Sequence, residues 1–105
     1  MKSPIWSAIS LLLAAACGAA AAPPAARQQE LLELLRQDCG SCHGLTLQGG
    51  LGPALLPDAL RDKPPELLAA TILYGRPGTP MPPWRPFLNE DEALWLAHRI
   101  KEGIE

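Results

Sequence analysis

Two cysteines and a histidine are the residues of this sequence whose types and spacing are best suited to chemistry. Cys39 and Cys42 are separated by two residues, and His43 follows directly. Two cysteines this close could form a disulfide, as in many exported proteins, or a redox-active dithiol of the thioredoxin type. A zinc site would need two more ligands, and only His98 and scattered carboxylates are available for it. The cysteine pair alone therefore leaves several kinds of site open.

The histidine directly after the second cysteine favours a different interpretation. Cys-x-x-Cys-His is the attachment sequence for a c-type haem. The two thiols add to the two vinyl groups of one porphyrin, and the adjacent imidazole reaches the iron from one side of the ring. We therefore expect one haem c bound covalently through Cys39 and Cys42, with His43 as an axial ligand of the iron.

The second iron ligand is predicted from a proline-rich segment. After residue 22 the chain has one methionine, Met81, and one histidine besides His43, which is His98. Met81 lies among Pro80, Pro82 and Pro83, in a segment without helical or strand periodicity, so a place in a core face explains it poorly. Prolines restrict the backbone and lower the entropy cost of holding a sulfur over iron. The pattern predicts Met81 as a ligand and His98 as a surface residue of a helix.

Three helices are predicted to position these residues, at 28–38, 64–74 and 90–102. Leucines recur on one face of the first helix. The second begins with two prolines and ends before Gly75, and the third begins with the capping-box pair Asn89 and Glu92. The 12 prolines exclude a long coiled coil and a regular multi-stranded sheet. We expect an all-α fold whose proline- and glycine-rich loops wrap around one haem.

The N-terminal residues are predicted to be an export signal rather than part of the fold. Lys2 is followed by an uncharged stretch at 5–22 that is apolar and then rich in alanine. This pattern is typical of a signal peptide over residues 1–22, cleaved after Ala20 or Ala21. A lipoprotein signal at Cys17 and an uncleaved anchor are the less favoured alternatives, and only these would bring the protein to a membrane. The interpretation places the mature chain in a bacterial periplasm, with a linker at 23–27 and one domain at 28–105.

The charge balance excludes one class of partner. The chain has 9 basic and 11 acidic residues, for a net charge of −2, so a nucleic-acid-binding surface is not expected. The glycine-rich stretch at 49–52 is not followed by the lysine and hydroxyl residue of a phosphate-binding loop. No small-molecule substrate is predicted.

With these motifs in place, the sequence resembles the small monohaem class I cytochromes c over about residues 28–104. Within that class it is similar to the cytochrome c-55X group, exported proteins encoded beside cytochrome cd1 nitrite reductase in denitrifying bacteria. The resemblance is carried by the helix leading into the haem motif, by the closing helix and by three segments: Asp38 to Leu45, Gly49 to Ala54, and Gly75 to Trp84.

The resemblance implies roles for further residues. Pro53 matches the proline whose carbonyl accepts a hydrogen bond from the axial histidine, and Thr79 matches a threonine that binds a haem propionate. It implies a one-electron carrier rather than an enzyme, with redox proteins as partners: cytochrome cd1 nitrite reductase or an enzyme of haem d1 maturation. The alternatives are a general donor to another periplasmic or membrane oxidoreductase, a small haem peroxidase, and a haem-free disulfide oxidoreductase, which would be colourless.

Overall fold

The fold was obtained as a computed structural model that describes residue 3 and residues 22–104. In this part of the chain the regular structure is entirely helical, which confirms the predicted all-α class. The elements are α1 (Ala25–Leu34), a π-helical turn (Leu35–Cys39), α2 (Gly40–His43), α3 (Pro65–Tyr74) and α4 (Glu90–Glu102). None of these helices is long and apolar enough to cross a membrane. Apart from residues 3 and 22, the predicted signal peptide, with Cys17 and its cleavage site, lies outside the described residues.

Helix α1 begins three residues earlier than predicted, within the segment expected to be a linker. Pro24 precedes the first turn, and its carbonyl accepts a hydrogen bond from the backbone N–H of Gln28 at 2.9 Å. A proline suits this position because the first N–H groups of a helix have no intrahelical acceptor. Leu31 and Leu35 are buried on one side. The predicted apolar face of the first helix is therefore present, on a helix shifted towards the N-terminus.

The helix does not run uniformly into the haem motif. At Leu35–Cys39 it widens into a single π-helical turn, in which the backbone N–H of Gly40 donates to the carbonyl oxygen of Leu35. One extra residue in a turn rotates everything that follows relative to the helix before it. The side chains of the short α2, Cys42 and His43 among them, therefore point in a different direction from the one that a continuous α-helix would give them.

Helices α3 and α4 form the most extensive helix pair of the described chain. Both begin and end where the sequence predicts, apart from Pro64, which is the N-cap of α3 rather than its first residue. Their contact is apolar, and small side chains in it permit close approach. The buried residues of the pair are Leu68, Ala69 and Leu73 on α3, and Ala93, Leu96, Ala97 and Ile100 on α4.

The start of α4 is tied to α1 by charge. Asn89 and Glu92 form the predicted capping box: the Asn89 side chain accepts from the Glu92 backbone N–H at 2.8 Å, and the Glu92 carboxylate accepts from the Asn89 N–H at 3.0 Å. The same carboxylate pairs with the guanidinium of Arg27, which also donates to the backbone carbonyl of Phe87 at 3.1 Å. The mutual pairing raises the pKa of Arg27 and lowers that of Glu92.

The end of α4 holds the segment that leads into α3. The ammonium group of Lys101 donates to the carbonyl oxygens of Leu60, at 2.9 Å, of Arg61, at 3.3 Å, and of Lys63. These carbonyls belong to turns between α2 and α3, where no helical backbone N–H groups are available as donors. Lys101 therefore fastens this connection to the frame and keeps Leu60 buried in the core.

Candidate haem site

The three side chains of the Cys-x-x-Cys-His motif lie on one side of a helical turn. Cys39 ends the π-helical turn, and Cys42 and His43 are the last residues of α2. Positions three and four apart are neighbours on a helix surface, so Cys42 and His43 both lie beside Cys39. Both cysteines are free and half-buried. The arrangement presents two thiols and one imidazole to the same region of space.

The Cys39 thiol does not have the lowered pKa of a redox-active nucleophile. Burial, with a smaller contribution from the nearby Asp38 carboxylate, raises the pKa of the Cys39 thiol to about 11. Redox-active dithiols instead depend on a thiol whose pKa is lowered, because the thiolate is the nucleophile. At neutral pH Cys39 is a neutral thiol, which argues against the disulfide oxidoreductase alternative.

His43 is oriented by a backbone carbonyl. Its Nδ1 lies 2.7 Å from the carbonyl oxygen of Pro53, the contact that the family resemblance implies. A carbonyl oxygen can only accept, so Nδ1 carries a proton, and in the neutral tautomer with this contact the lone pair is on Nε2. The ring therefore presents its metal-binding nitrogen on the side away from Pro53.

The chain that reaches Pro53 passes close to the imidazole. The backbone N–H of Gly52 donates to the carbonyl of Cys42 at 2.8 Å, and that of Gly49 to the carbonyl of His43 at 2.8 Å. A Cβ atom added at Gly52 would lie 2.7 Å from both Cε1 and Nδ1 of His43, closer than Cβ atoms approach other atoms. Only glycine leaves room for the ring here. The backbone at Gly52 therefore lies directly against the histidine ring.

Met81 lies in a loop between α3 and α4 that is closed by its own hydrogen bonds. The backbone N–H of Arg76 donates to the carbonyl of Met81 at 3.2 Å. Gly75, at φ +68°, enters the loop so closely that a Cβ atom there would lie 2.7 Å from the same carbonyl oxygen. The loop leaves along α3, where the N–H of Trp84 donates to the carbonyl of Ile72 at 2.9 Å. Met81 is half-buried and Thr79 exposed.

The predicted site residues fall into two groups. Cys39, Cys42, His43 and Pro53 are brought together by α2 and the loop that follows it, and Thr79 and Met81 lie together in the loop after α3. No hydrogen bond joins the two loops within residues 22–104. His98 is exposed, as predicted, and the described residues hold no cluster of histidine, cysteine and carboxylate side chains suited to a metal ion.

Two residues of the site's support were not predicted from sequence. Arg27 falls in the predicted linker and Lys101 in the predicted last helix, yet each holds a distant part of the chain. Arg27 lies 65 residues from Glu92 in sequence, and Lys101 lies 41 residues from Leu60. No local sequence pattern indicates pairing over such separations.

The residues present fit a covalently attached haem. Two free thiols three positions apart suit the two vinyl groups of a haem. The absence of a side chain at Gly52 leaves room for the imidazole beside them.

Comparison with known proteins agrees with this chemistry. Residues 26–98 match the family model described as cytochrome C oxidase, cbb3-type, subunit III. A solved structure titled c-type cytochrome NirC is 64% identical, with a TM-score of 0.76, and the match covers 77% of this chain and 95% of that one. The chain belongs to this family of c-type cytochromes.

Named relatives narrow the relationship within the family. Cytochrome c55X of Pseudomonas aeruginosa is 66% identical over 74 residues, which cover 70% of this cytochrome and 62% of the relative. The cytochrome thus spans somewhat less than two thirds of that relative's length. A solved structure titled dihydro-heme d1 dehydrogenase NirN in complex with DHE is 37% identical, with a TM-score of 0.62, over 67% of this chain and 15% of that chain.

Membership of this family settles the cofactor. The cytochrome carries haem c, bound covalently through Cys39 and Cys42. The predicted resemblance to class I cytochromes and to the c-55X group is confirmed, and so is the expectation of a helical fold built around a haem.

Proposed function

We propose that this cytochrome is an exported, periplasmic one-electron carrier whose haem iron has His43 and Met81 as axial ligands. The observation that carries the proposal is the 2.7 Å contact between Nδ1 of His43 and the carbonyl of Pro53, which fixes the tautomer that a metal ligand needs. Met81 supports it, because its loop is closed independently of any core contact. Export rests on the N-terminal sequence pattern.

The protein contributes to electron transfer by holding the iron ligands so that they do not move when the iron changes its charge. When bound, the haem supplies the Fe(III)/Fe(II) couple, and imidazole with thioether ligation favours the ferrous state. Pro53 keeps the imidazole from rotating, and the loop of Met81 keeps the thioether in place, so little atomic movement accompanies a change of charge. With His43 and Met81 both bound to it, the iron would have no free position for a peroxide or gas ligand, so this ligation and the peroxidase alternative exclude each other.

The partner we propose is a redox protein of the haem d1 system. A domain similar to this cytochrome forms part of a chain named dihydro-heme d1 dehydrogenase. A dehydrogenation releases two electrons, so an enzyme of that kind needs an acceptor, and a one-electron carrier would serve it in two successive encounters. Electron donation to a cytochrome cd1 nitrite reductase is the second candidate, favoured by the similarity to cytochrome c55X.

The surface around the haem motif supports a particular mode of contact. Residues 39–57 contain no aspartate, glutamate, lysine or arginine, and neither do residues 77–84. Leu45 and Leu51, which follow the cysteines in this region, are 76% and 89% exposed. The contact is therefore expected to be small, apolar and transient, and its association rate to change little with ionic strength.

The ligation is tested on the purified holoprotein by optical spectroscopy. A pyridine haemochrome assay checks for haem c, and the weak far-red band of the ferric form reports a bond from sulfur to iron. The band should be present in the wild type and absent in Met81→Ala, with covalent haem retained in both. Persistence of the band in the variant would reject Met81, and rapid CO binding by the wild-type ferrous protein would favour the peroxidase alternative.

The location and partner are tested separately. Cell fractionation should recover the haem protein in the periplasmic fraction. Anaerobic stopped-flow mixing of the ferric cytochrome with a dihydro-heme d1 dehydrogenase and its substrate should reduce the haem. Mixing the ferrous form with nitrite reductase tests the second candidate. If the dehydrogenase does not reduce the cytochrome and the cytochrome does not reduce nitrite reductase, the general-donor alternative is the better description.

A further inference from the structure

We propose that the hydroxyl group of Thr79 positions Met81 by holding its loop closed, and that it does not anchor a haem propionate. The inference rests on the proposed ligation of iron by Met81. It departs from the role that the family resemblance implies for Thr79.

The loop begins with a turn that proline and glycine set. Pro77 and Gly78 occupy the two central positions between Arg76 and Thr79, with Gly78 at φ +78°. The backbone N–H of Thr79 donates to the carbonyl of Arg76 at 3.1 Å. This is the arrangement of a type II turn, in which proline fixes the first central residue and glycine accepts the positive φ of the second. The turn places the Thr79 side chain inside the loop that leads to Met81.

Thr79 then connects the two ends of that loop. Its hydroxyl donates to the carbonyl of Arg76 at 2.6 Å, and its oxygen accepts from the backbone N–H of Met81 at 3.3 Å. From the other side, the N–H of Arg76 donates to the carbonyl of Met81 at 3.2 Å. The backbone of Met81 is thus held at both its N–H and its carbonyl, once through the hydroxyl and once directly.

The prolines around Met81 leave few other hydrogen bonds that could hold this segment if the Thr79 hydroxyl were lost. Pro80, Pro82 and Pro83 have no backbone N–H, so Met81 carries the only backbone donor between positions 80 and 83. The partner of that donor is the oxygen of Thr79. The three prolines limit how the segment bends, but they cannot tie it to the rest of the loop, and Thr79 supplies that tie.

The count of protons on the hydroxyl separates the two roles. A threonine hydroxyl has one proton, and an ionised propionate can only accept a hydrogen bond. In this structure the proton is directed to Arg76. Binding a propionate would require the hydroxyl to release that carbonyl and so break the side-chain link that joins Arg76 to the Met81 N–H, leaving only the backbone bonds of the loop. One side chain cannot donate to both.

The experiment compares Thr79→Val, which keeps the branched shape and removes the hydroxyl, with Thr79→Ser, which keeps the hydroxyl. Both are studied as ferric holoproteins. The readout is the affinity for added imidazole, which displaces the methionine sulfur and removes the far-red band. Loss of two modest hydrogen bonds should increase the apparent affinity roughly tenfold in Thr79→Val, and Thr79→Ser should stay close to wild type.

A second readout addresses the propionate directly. Reduction potentials of all three proteins are measured across pH, because a propionate that loses a donor changes the inflection in that curve. We expect the curves of wild type and Thr79→Val to have their inflection at the same pH. Unchanged imidazole affinity in Thr79→Val, or an inflection that moves, would overturn the inference.

The two proposals can fail separately. If the wild-type ferric protein lacks the far-red band, Met81 ligation is wrong and the role of Thr79 is wrong with it. If the band is present in the wild type, is lost in Met81→Ala and responds to imidazole equally in Thr79→Val and wild type, only the role of Thr79 is wrong.

Discussion

The two loops proposed to hold the iron ligands achieve the same result by different physical means. The segment after α2 orients His43 through one hydrogen bond and through the absence of a side chain at Gly52. The segment after α3 also has a close approach, from Gly75 to the Met81 carbonyl, but it holds Met81 chiefly through a closed set of hydrogen bonds and through proline geometry. Steric exclusion has no partial substitute, whereas a lost hydrogen bond can be exchanged for one to water. The histidine side is therefore the stiffer of the two, and the methionine side is the one that substitutions can loosen gradually.

The largest effect should come from Gly52→Ala. The added Cβ would lie 2.7 Å from the His43 ring, so the ring or the backbone must move. We expect a destabilisation of about 3 kcal/mol, at the upper end of overpacking effects, and a marked loss of haem incorporation. Haem content per polypeptide and a denaturation curve measure the two. Leu51→Ala is the matched control, since the neighbouring side chain is 89% exposed and should be dispensable for folding.

If Gly52→Ala incorporates haem and unfolds like Leu51→Ala, the contrast between the two loops is wrong on the histidine side. A normal spectrum from that variant would mean that the loop shifts at little cost.

A smaller and more selective effect is expected from Gly75→Ala. The added Cβ would approach the Met81 carbonyl to 2.7 Å, and the residue has φ +68°, which L-residues avoid. We expect about 2 kcal/mol of strain. Covalent haem should be retained because the thioethers and His43 are untouched, and the far-red band should weaken.

Gly78→Ala provides the control for this variant. Its φ is also positive, at +78°, but nothing lies within 4 Å of an added Cβ. Any excess effect of Gly75→Ala on the band therefore measures the close approach to Met81 rather than backbone strain alone. Equal effects of the two substitutions would show that the approach of Gly75 to Met81 does not matter.

The parts of this fold that could be predicted from sequence are those determined by neighbouring residues. Helix α4 has its predicted bounds because Asn89, Glu92 and Gly103 are capping signals at the two ends of the same short segment. The haem motif is likewise local. The start of α1 was placed three residues too late because its N-cap is Pro24, which has no side chain that bonds the first turn.

Other features depend on contacts or hydrogen-bond patterns that composition does not reveal. The π-helical turn at Leu35–Cys39 is a shift of hydrogen-bond partners within an ordinary leucine-rich stretch. The approach of Gly52 to His43 depends on how the loop returns to α2. For Thr79, sequence similarity identifies the position but not which acceptor receives its single proton.

The smallest of these effects concerns the support that the two loops share. Arg27 and Glu92 join α1, which leads to His43, to α4, which follows the loop of Met81. Pairing lowers the pKa of the Glu92 carboxylate below its ordinary value near 4.5. Its stabilising contribution is therefore complete above about that pH and is lost as the pH falls through the lower pKa of the folded state. Arg27→Met should cost about 1 kcal/mol at pH 7, measured by chemical denaturation of the holoprotein.

The pH dependence distinguishes this ion pair from simple packing. The difference between wild type and Arg27→Met should shrink as the pH falls below about 4.5 but not vanish, because the hydrogen bond from Arg27 to the Phe87 carbonyl does not titrate. Arg61→Met is the control, since its pair with Asp58 is formed by side chains that are 72% and 92% exposed and should contribute almost nothing. A difference that stays constant across this range would assign the effect of Arg27 to packing and to Phe87 alone. Because the pair supports both loops, its loss should weaken the histidine and methionine sides equally, unlike either glycine substitution.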